Sequence, residues 1–167
     1  MSNLQGNYKG HNFHGAPERF EVVAEFINSS FGKNIKYIAD VAGGQDMLSR
    51  ILRKKFNYEA EVIDPRGYSL VGVPSIQKEY TQDMADIYDL IVGLHPDEAT
   101  KEIVYSAFKK PTILIPCCNF WDSTQKLGTK ELVESICSFY TGNKIKFDVV
   151  KLEFKSIKNT AIITSPK

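Results

Sequence analysis

Acidic residues and glycines cluster where predicted strands give way to helices. Asp40 ends an apolar run, and Gly43 and Gly44 follow it in a turn. Asp46 begins the next helical pattern, and Asp64 ends the following apolar run. Glycine tolerates a positive φ and lets a ligand lie against the backbone, while the free N–H groups of a helix start face the same space. We therefore predict a site for a nucleotide-like ligand that offers hydroxyls and a cationic group.

The common phosphate-binding motifs do not fit this turn. A G-x-G-x-x-G fingerprint that starts at Gly43 requires glycine where Gln45 stands. The sequence contains no G-x-x-x-x-G-K-[ST] motif. Asp46 at the helix start would also repel a phosphate. The turn therefore favours a ligand without a pyrophosphate.

A second group of reactive residues follows a later apolar run, in the stretch GLHPDEA. His95 has an unperturbed pKa near neutrality and is a candidate to remove a proton from an incoming nucleophile. Asp97 is a candidate to orient it. The alternative is that Asp97 only caps the next helix while His95 packs against a strand end.

Adjacent cysteines stand in the next loop, IPCCNFWD. Cys117 and Cys118 lack a second Cys or His pair at metal-binding spacing, so no metal site is predicted. As a nucleophile, a thiolate would need an activating cation such as His95. We favour the third interpretation, in which they are small apolar residues that shape a pocket floor. Cys137 lies at helical spacing with core residues.

The rest of this loop is predicted to form a substrate wall. It contains Asn119, Phe120 and Trp121. An aromatic ring at this position can stack on a base or contact a cation. The alternative is a core aromatic side chain that seals the loop.

Apolar periodicity predicts the elements that position these residues. Helical spacing and end signals predict helices over 16–32, 46–56, 96–110 and 129–142. Short apolar or alternating runs predict strands over 37–42, 59–65, near Ile76, 88–95, 111–116, 144–154 and 159–166. A change of phase near Val149 and Val150 predicts a β-bulge in the run 144–154.

This alternation predicts an α/β fold with a doubly wound, mainly parallel, seven-stranded sheet and helices on both faces. The last two strands are separated only by KSIK, which is too short for a helical crossover, so they should form a C-terminal antiparallel β-hairpin. We predict one domain over 16–167, preceded by a mobile segment 1–15. Residues 7–20 are either a disordered or merely packed N-terminus or a lid, in which His11, Phe13, His14 and Arg19 would contact the ligand.

DVAGGQD resembles the D-x-G-x-G-x-G turn of class I S-adenosylmethionine-dependent methyltransferases. Ala42 and Asp46 replace its outer glycines, and Gly44 is in place. VIDP is similar to the second motif of that family, in which the acidic residue, here Asp64, takes the ribose hydroxyls. IQKEY is similar to the third motif, which borders the adenine, with Glu79 in the acidic position. The terminal hairpin extends the resemblance to residues 16–165.

The resemblance implies S-adenosyl-L-methionine as cofactor and an in-line methyl transfer. The cofactor-binding residues it implies are Asp40, Ala42, Gly43, Gly44, Asp46, Asp64, Pro65, Glu79, Tyr80 and Leu94. His95 and Asp97 would be catalytic, and the substrate would contact Cys117, Asn119, Phe120 and Trp121.

Two strand ends, GLH and PCC, are similar to those of methyltransferases that include tRNA ribose 2′-O-methyltransferases. Pro96 and Asp97 replace a Cys-Gly pair of that group, and Asn119 replaces a histidine. The acceptor is therefore predicted to be either RNA or a small molecule. The lysines of the last hairpin allow RNA.

Composition limits the other possibilities. The chain has 167 residues and a net charge of +1, which does not indicate a polyanionic partner, and DNA is not expected. No signal peptide or membrane span is predicted, and three cysteines favour a reducing cytoplasm. The rival functions are a catalytically degenerate cofactor-binding or interaction protein and an NAD(P)-dependent oxidoreductase. Oligomeric state is left open.

Overall fold

The computed structural model describes residues 17–44, 46–67 and 70–165. Within these residues the helices are α1 (Arg19–Phe31), α2 (Met47–Phe56), α3 (Thr100–Ser106) and α4 (Thr129–Gly142). The strands are β1 (Tyr37–Val41), β2 (Glu59–Ile63), β3 (Ser75–Ile76), β4 (Leu90–Leu94), β5 (Thr112–Ile115), β6 (Lys146–Lys151) and β7 (Thr160–Ser165). Short 3₁₀ helices cover Gly32–Asn34, Gln82–Ile87 and Asp97–Ala99. The predicted mobile segment 1–15 lies outside the described residues, and so do the lid candidates His11, Phe13 and His14. The fourth lid candidate, Arg19, begins α1.

One seven-stranded sheet with the order β3-β2-β1-β4-β5-β7-β6 organises the fold. The first five strands are parallel, and β7 pairs antiparallel with both β5 and β6. The predicted doubly wound sheet with a C-terminal antiparallel hairpin is confirmed. The strand order reverses between β1 and β4, and ligands in such sheets bind beyond the carboxyl ends of the strands at that point.

Helices cover both faces of the sheet, because each helix has one apolar side. In α1 the buried side consists of Phe20, Val23, Ala24 and Ile27, which recur at helical spacing. α1 and α2 contribute to one apolar core, and α3 and α4 contribute to a second core on the opposite face. No described helix has the length and apolarity that a membrane crossing requires.

The predicted β-bulge in the terminal hairpin is wrong. The pairing runs without interruption from Lys146 with Ser165 to Lys151 with Thr160. The strand ends at Lys151, and Leu152 is buried beyond that end. Ile145 and Phe147 pack against the core of α3 and α4, whereas Val150, Leu152 and Phe154 belong to the core of α1 and α2. The change of phase therefore marks a switch of the packed face along a regular strand.

The third predicted helix begins later than its sequence pattern indicates. His95 and Asp97 adopt left-handed backbone conformations, with φ of 51° and 49°. A 3₁₀ turn over Asp97–Ala99 follows, and α3 begins only at Thr100. The loop that carries the two predicted catalytic residues is therefore irregular and is not a helical first turn.

Candidate functional site

The turn between β1 and α2 reverses direction through three left-handed residues. Ala42, Gly44 and Asp46 have φ of 53°, 60° and 64°. For a residue with a Cβ this conformation costs roughly 1–2 kcal/mol, so the surrounding contacts must hold it. One such contact is the hydrogen bond from the Gly44 N–H to Asp64 Oδ2, at 2.9 Å. This bond joins the turn to the end of β2.

Asp40 lies beneath this turn and not in an open crevice. Its side chain is almost fully buried, and Oδ2 accepts hydrogen bonds from the Ser49 backbone N–H and from Ser49 Oγ. Burial raises the pKa of Asp40, the Ser49 hydrogen bonds oppose the rise, and the charges of Asp46 and Asp64 add to it, so that the pKa is about 7. Asp40 therefore anchors the first turn of α2.

Gly43 is required where the turn crosses Asp40. A Cβ on Gly43 would lie 2.7 Å from Asp40 Cγ. We expect Gly43→Ala to lower the free energy of unfolding by about 1–3 kcal/mol, because the buried carboxyl group must move. Urea denaturation would measure this loss. Gly142→Ala is the matched control, since a Cβ there meets no atom within 4 Å. Equal stability of the two variants would contradict this account of Gly43.

Asp46 also turns into the protein. It is fully buried, and its Oδ2 accepts a hydrogen bond from the Leu70 backbone N–H at 2.9 Å. Burial raises the pKa of Asp46 to about 6, the Leu70 N–H opposes this rise, and the charge of Asp64 adds to it. Asp46 therefore ties the start of α2 to the segment that follows β2.

Among Asp40, Asp46 and Asp64, the carboxylate of Asp64 accepts the most hydrogen bonds. Its oxygens accept hydrogen bonds from the Gly44 N–H and from the Arg66 backbone N–H, at 2.9 and 2.8 Å. The Arg66 guanidinium forms an ion pair with it, with Nη2 2.7 Å from Oδ2. Burial alone would raise the pKa of Asp64, but the Arg66 and Gly44 hydrogen bonds and the Arg66 charge outweigh it, so the pKa lies below its usual value.

Arg66 was missed in the sequence analysis. Its side chain is half exposed, pairs with the buried Asp64, and reaches Ala42 O at 3.4 Å. The available signal was a basic residue two positions after an acid at a strand end, in VIDPRG. Arg66 covers the carboxylate that was predicted to take ribose hydroxyls.

A cavity of about 600 Å³ lies beyond the carboxyl ends of β1, β2 and β4. Five of the residues predicted to bind the cofactor line it: Ala42, Asp64, Pro65, Glu79 and Tyr80. Asp97 and Phe120, predicted for catalysis and substrate binding, lie on its wall as well. The structure thus brings together side chains from five separate loops.

Several cavity residues were not predicted. Ile63, Thr81, Pro96 and Ala99 contribute neutral surface, and Glu98 and Glu102 add carboxylates. Glu102 is also engaged within the protein, because its Oε2 accepts a hydrogen bond from the Gln82 N–H at 2.8 Å. The cavity wall is therefore rich in carboxylates, with Arg66 as a cation beside Asp64.

Other predicted site residues do not line this cavity. Asp40, Gly43, Gly44 and Asp46 shape the turn behind it, and Leu94 is buried in the core with α1 and α2. His95 also points elsewhere: its Nε2 lies 2.8 Å from Lys158 O, and its ring meets the edge of Phe154. Burial lowers the pKa of His95 below its usual value.

The predicted substrate-binding residues of the loop after β5 make two kinds of contact, some within the protein and one with the cavity. Asn119 Oδ1 accepts hydrogen bonds from the N–H groups of Trp121 and Asp122, and its Nδ2 donates to two backbone carbonyls of the same loop. Trp121 packs on Phe139 with ring centroids 5.1 Å apart. Phe120, in contrast, reaches the cavity. Asn119 and Trp121 therefore hold the loop that presents Phe120.

Cys117 lies next to Asp97, at the side of the cavity. Its Sγ–H donates to Asp97 Oδ1 at 3.0 Å. Burial, together with the hydrogen bond and charge of Asp97, raises the pKa of the Cys117 thiol to about 12. The thiol is therefore protonated at neutral pH, which disfavours its predicted alternative as a nucleophile.

The cavity residues fit a nucleoside ligand. Asp64 and Glu79 offer carboxylate acceptors for hydroxyl and amine groups, and Ile63, Pro65 and Tyr80 supply apolar surface for a flat ring. The Asp64 oxygens are already hydrogen-bonded to Arg66. A ribose can therefore bind Asp64 only when the Arg66 side chain moves aside.

Comparison with solved structures identifies the fold class, whereas two other comparisons find no match. No family model matches the chain, and no curated protein is significantly similar to it. Among solved structures, the sugar N-methyltransferase KedS8 from Streptoalloteichus sp. ATCC 53650 is similar with a TM-score of 0.58 and 11% identity, over 94% of this chain and 95% of that one. The plantazolicin methyltransferase BpumL, solved with SAH, is similar with a TM-score of 0.57 and 11% identity, over 89% of this chain and 82% of that one.

A putative hemolysin from Streptococcus thermophilus is also similar, with a TM-score of 0.63 and 9% identity, over 95% of this chain and 70% of the other. At these identities the likeness concerns the fold. The chain has the class I methyltransferase α/β fold, as its motifs and terminal hairpin predicted.

Proposed function

We propose that this protein is an S-adenosyl-L-methionine-dependent methyltransferase. The observation that carries the proposal is the position of Asp64. It ends β2 beside the reversal of strand order, is joined to the β1 turn through the Gly44 N–H, and faces the cavity. The fold class supports this proposal, and the neighbours KedS8 and BpumL are methyltransferases by name.

Each wall of the cavity has a proposed part in cofactor binding. Asp64 accepts the ribose hydroxyls after Arg66 moves aside, and Glu79 and Tyr80 border the adenine. The backbone at Ala42 forms the floor, and Asp40 and Asp46 hold the turn behind that floor. The bound cofactor supplies an activated methyl group on a positively charged sulfur, and carboxylates suit such a centre.

Asp97 and Phe120 form the proposed acceptor side. Asp97 accepts a hydrogen bond from the incoming nucleophile, and Phe120 packs against the acceptor. Their main contribution is alignment for an in-line transfer, which is a proximity effect. The role of His95 as general base stays a prediction. In the structure its Nε2 contacts Lys158 O.

The charge of the cavity favours a small neutral or cationic acceptor over RNA. Glu79, Asp97, Glu98 and Glu102 all line the same space. A cluster of carboxylates repels the phosphates of a nucleic acid that approaches within a Debye length. The acceptor we propose is therefore a small molecule that carries an amine or hydroxyl.

Calorimetry with three ligands tests the proposed function. We expect S-adenosylmethionine and its demethylated product to bind with measurable heat, while NADH gives none. Heat from NADH alone would instead support an oxidoreductase. Transfer of labelled methyl groups to panels of small amines and alcohols, with RNA as comparison, separates an enzyme from a degenerate cofactor-binding protein. Binding without transfer to any acceptor would support the degenerate form.

A further inference from the structure

Two thiols and a carboxylate meet at the ends of neighbouring strands. Asp97 follows β4, and Cys117 and Cys118 follow β5. These strands pair in parallel up to Leu94 with Ile115, so their following loops lie side by side. One ligand atom from each of the three residues lies within 4.8 Å of the others.

We propose that Asp97, Cys117 and Cys118 form a binding site for Zn²⁺. Zinc prefers thiolate sulfur and carboxylate oxygen in tetrahedral geometry, at roughly 2.0–2.3 Å from each ligand atom. Such bond lengths require ligand atoms closer together than 4.8 Å, and rotation of the exposed Cys118 and Asp97 side chains can bring them there. Three protein ligands leave a fourth position for water or another small ligand.

Asp97, in the loop after β4, gives the cysteine pair a third possible metal ligand. In the sequence, Cys117 and Cys118 lack a second pair of ligands at suitable spacing. The fold supplies Asp97 from a loop twenty residues earlier, with its Oδ1 already hydrogen-bonded to Cys117 Sγ at 3.0 Å. Zinc would take the place of the proton in this contact, because a metal binds the deprotonated sulfur.

Lys158 provides an electrostatic test of the site. Its Nζ lies 3.7 Å from Cys118 Sγ. A bound divalent cation would be repelled by this ammonium group, so the flexible Lys158 side chain must move away when zinc binds. Removal of the lysine charge should therefore strengthen metal binding.

Zinc binding shares Asp97 with the proposed acceptor side, but it can be tested separately from cofactor binding. Asp97 lines the cavity, so the cation would lie beside the proposed acceptor side. Its binding needs no cofactor, and it can be measured on the protein alone. Failure of the zinc site would leave the cofactor proposal intact, and failure of cofactor binding would leave the zinc site intact.

Titration of the reduced, cofactor-free protein with Co²⁺ tests this site, because tetrahedral cobalt–thiolate sites absorb through sulfur-to-metal charge transfer. We expect one equivalent to bind with this absorption and to be displaced by Zn²⁺. Cys117→Ser, Cys118→Ser and Asp97→Asn should each weaken binding by more than about tenfold, since loss of an outer-sphere partner alone costs that much. Lys158→Gln should tighten it.

Cys137→Ser is the matched control, because Cys137 lies in α4, outside the three-residue cluster. It should bind cobalt like the parent protein. Circular dichroism would establish that each variant is folded. The proposal is overturned if the folded parent protein shows no charge-transfer absorption, or if Asp97→Asn binds as tightly as the parent. Loss of the signal in Cys137→Ser would also overturn it.

Discussion

Asp64→Asn should weaken binding of the demethylated cofactor by about 10- to 150-fold, the equivalent of about 1.5–3 kcal/mol. The variant keeps the shape of the side chain but removes the charge that would accept the ribose hydroxyls. Calorimetric titration of the parent and variant proteins gives the two dissociation constants. An unchanged affinity would refute the proposed position of the ribose.

Arg66→Gln distinguishes a lost ribose contact from a damaged loop. Both substitutions remove the ion pair between Asp64 and Arg66, but only Asp64→Asn replaces the charged carboxylate that is proposed to bind the ribose. Because the guanidinium and the ribose would compete for the same Asp64 oxygens, we expect Arg66→Gln to bind the cofactor at least as tightly as the parent protein. Equal weakening in both variants would show that the ion pair, and not the carboxylate alone, supports binding.

Asp40→Asn should stabilise the protein at pH 8, by on the order of 2–4 kcal/mol. The Asp40 carboxyl is buried, and its pKa is raised to about 7. Above that pH the folded protein must hold a buried charge, which costs free energy. Asparagine cannot ionise, and its side-chain oxygen can still accept the hydrogen bonds from Ser49.

The sign of the pH dependence follows from proton binding. Between about pH 4 and pH 7, folded Asp40 keeps a proton that the unfolded chain has released. Stability of the parent protein therefore falls as the pH rises through this window, so the advantage of Asp40→Asn should grow across it and level off above pH 7. The raised pKa of Asp46 and the lowered pKa of Asp64 act in both proteins and largely cancel in the difference.

Urea denaturation at several pH values between 5 and 8 would measure this difference. Asp148→Asn is the matched control, because it makes the same change to a carboxyl group that lies exposed on β6. A stability difference between Asp40→Asn and the parent that stays constant over this range would mean that Asp40 is ionised throughout.

The element order could be predicted from the sequence because it depends on local patterns. Apolar spacing and end signals in each segment place the helices and strands, and the short KSIK connection excludes a helical crossover before the last strand. The phase change after Val149 misled the same reasoning, since a switch of the packed face and a bulge give similar patterns in a single sequence.

The identity of the site residues could be predicted only in part. Carboxylates at strand ends indicated a polar site, and Asp64 does face the cavity. Asp40 and Asp46 carry the same local signal but turn inward. The difference comes from the left-handed conformations of Ala42 and Asp46 and from hydrogen bonds to Ser49 and Leu70. Local propensity does not encode such distant partners.

The sequence by itself determined the alternation of elements, the terminal hairpin and the acidic character of the strand ends, because neighbouring residues set these features. Only the tertiary structure decided which side chains share a space. Arg66 meets Asp64, His95 meets Lys158, and Asp97 meets Cys117 because strand order and loop dihedral angles bring them together. These contacts depend on packing across the whole sheet, so no short stretch of the chain specifies them.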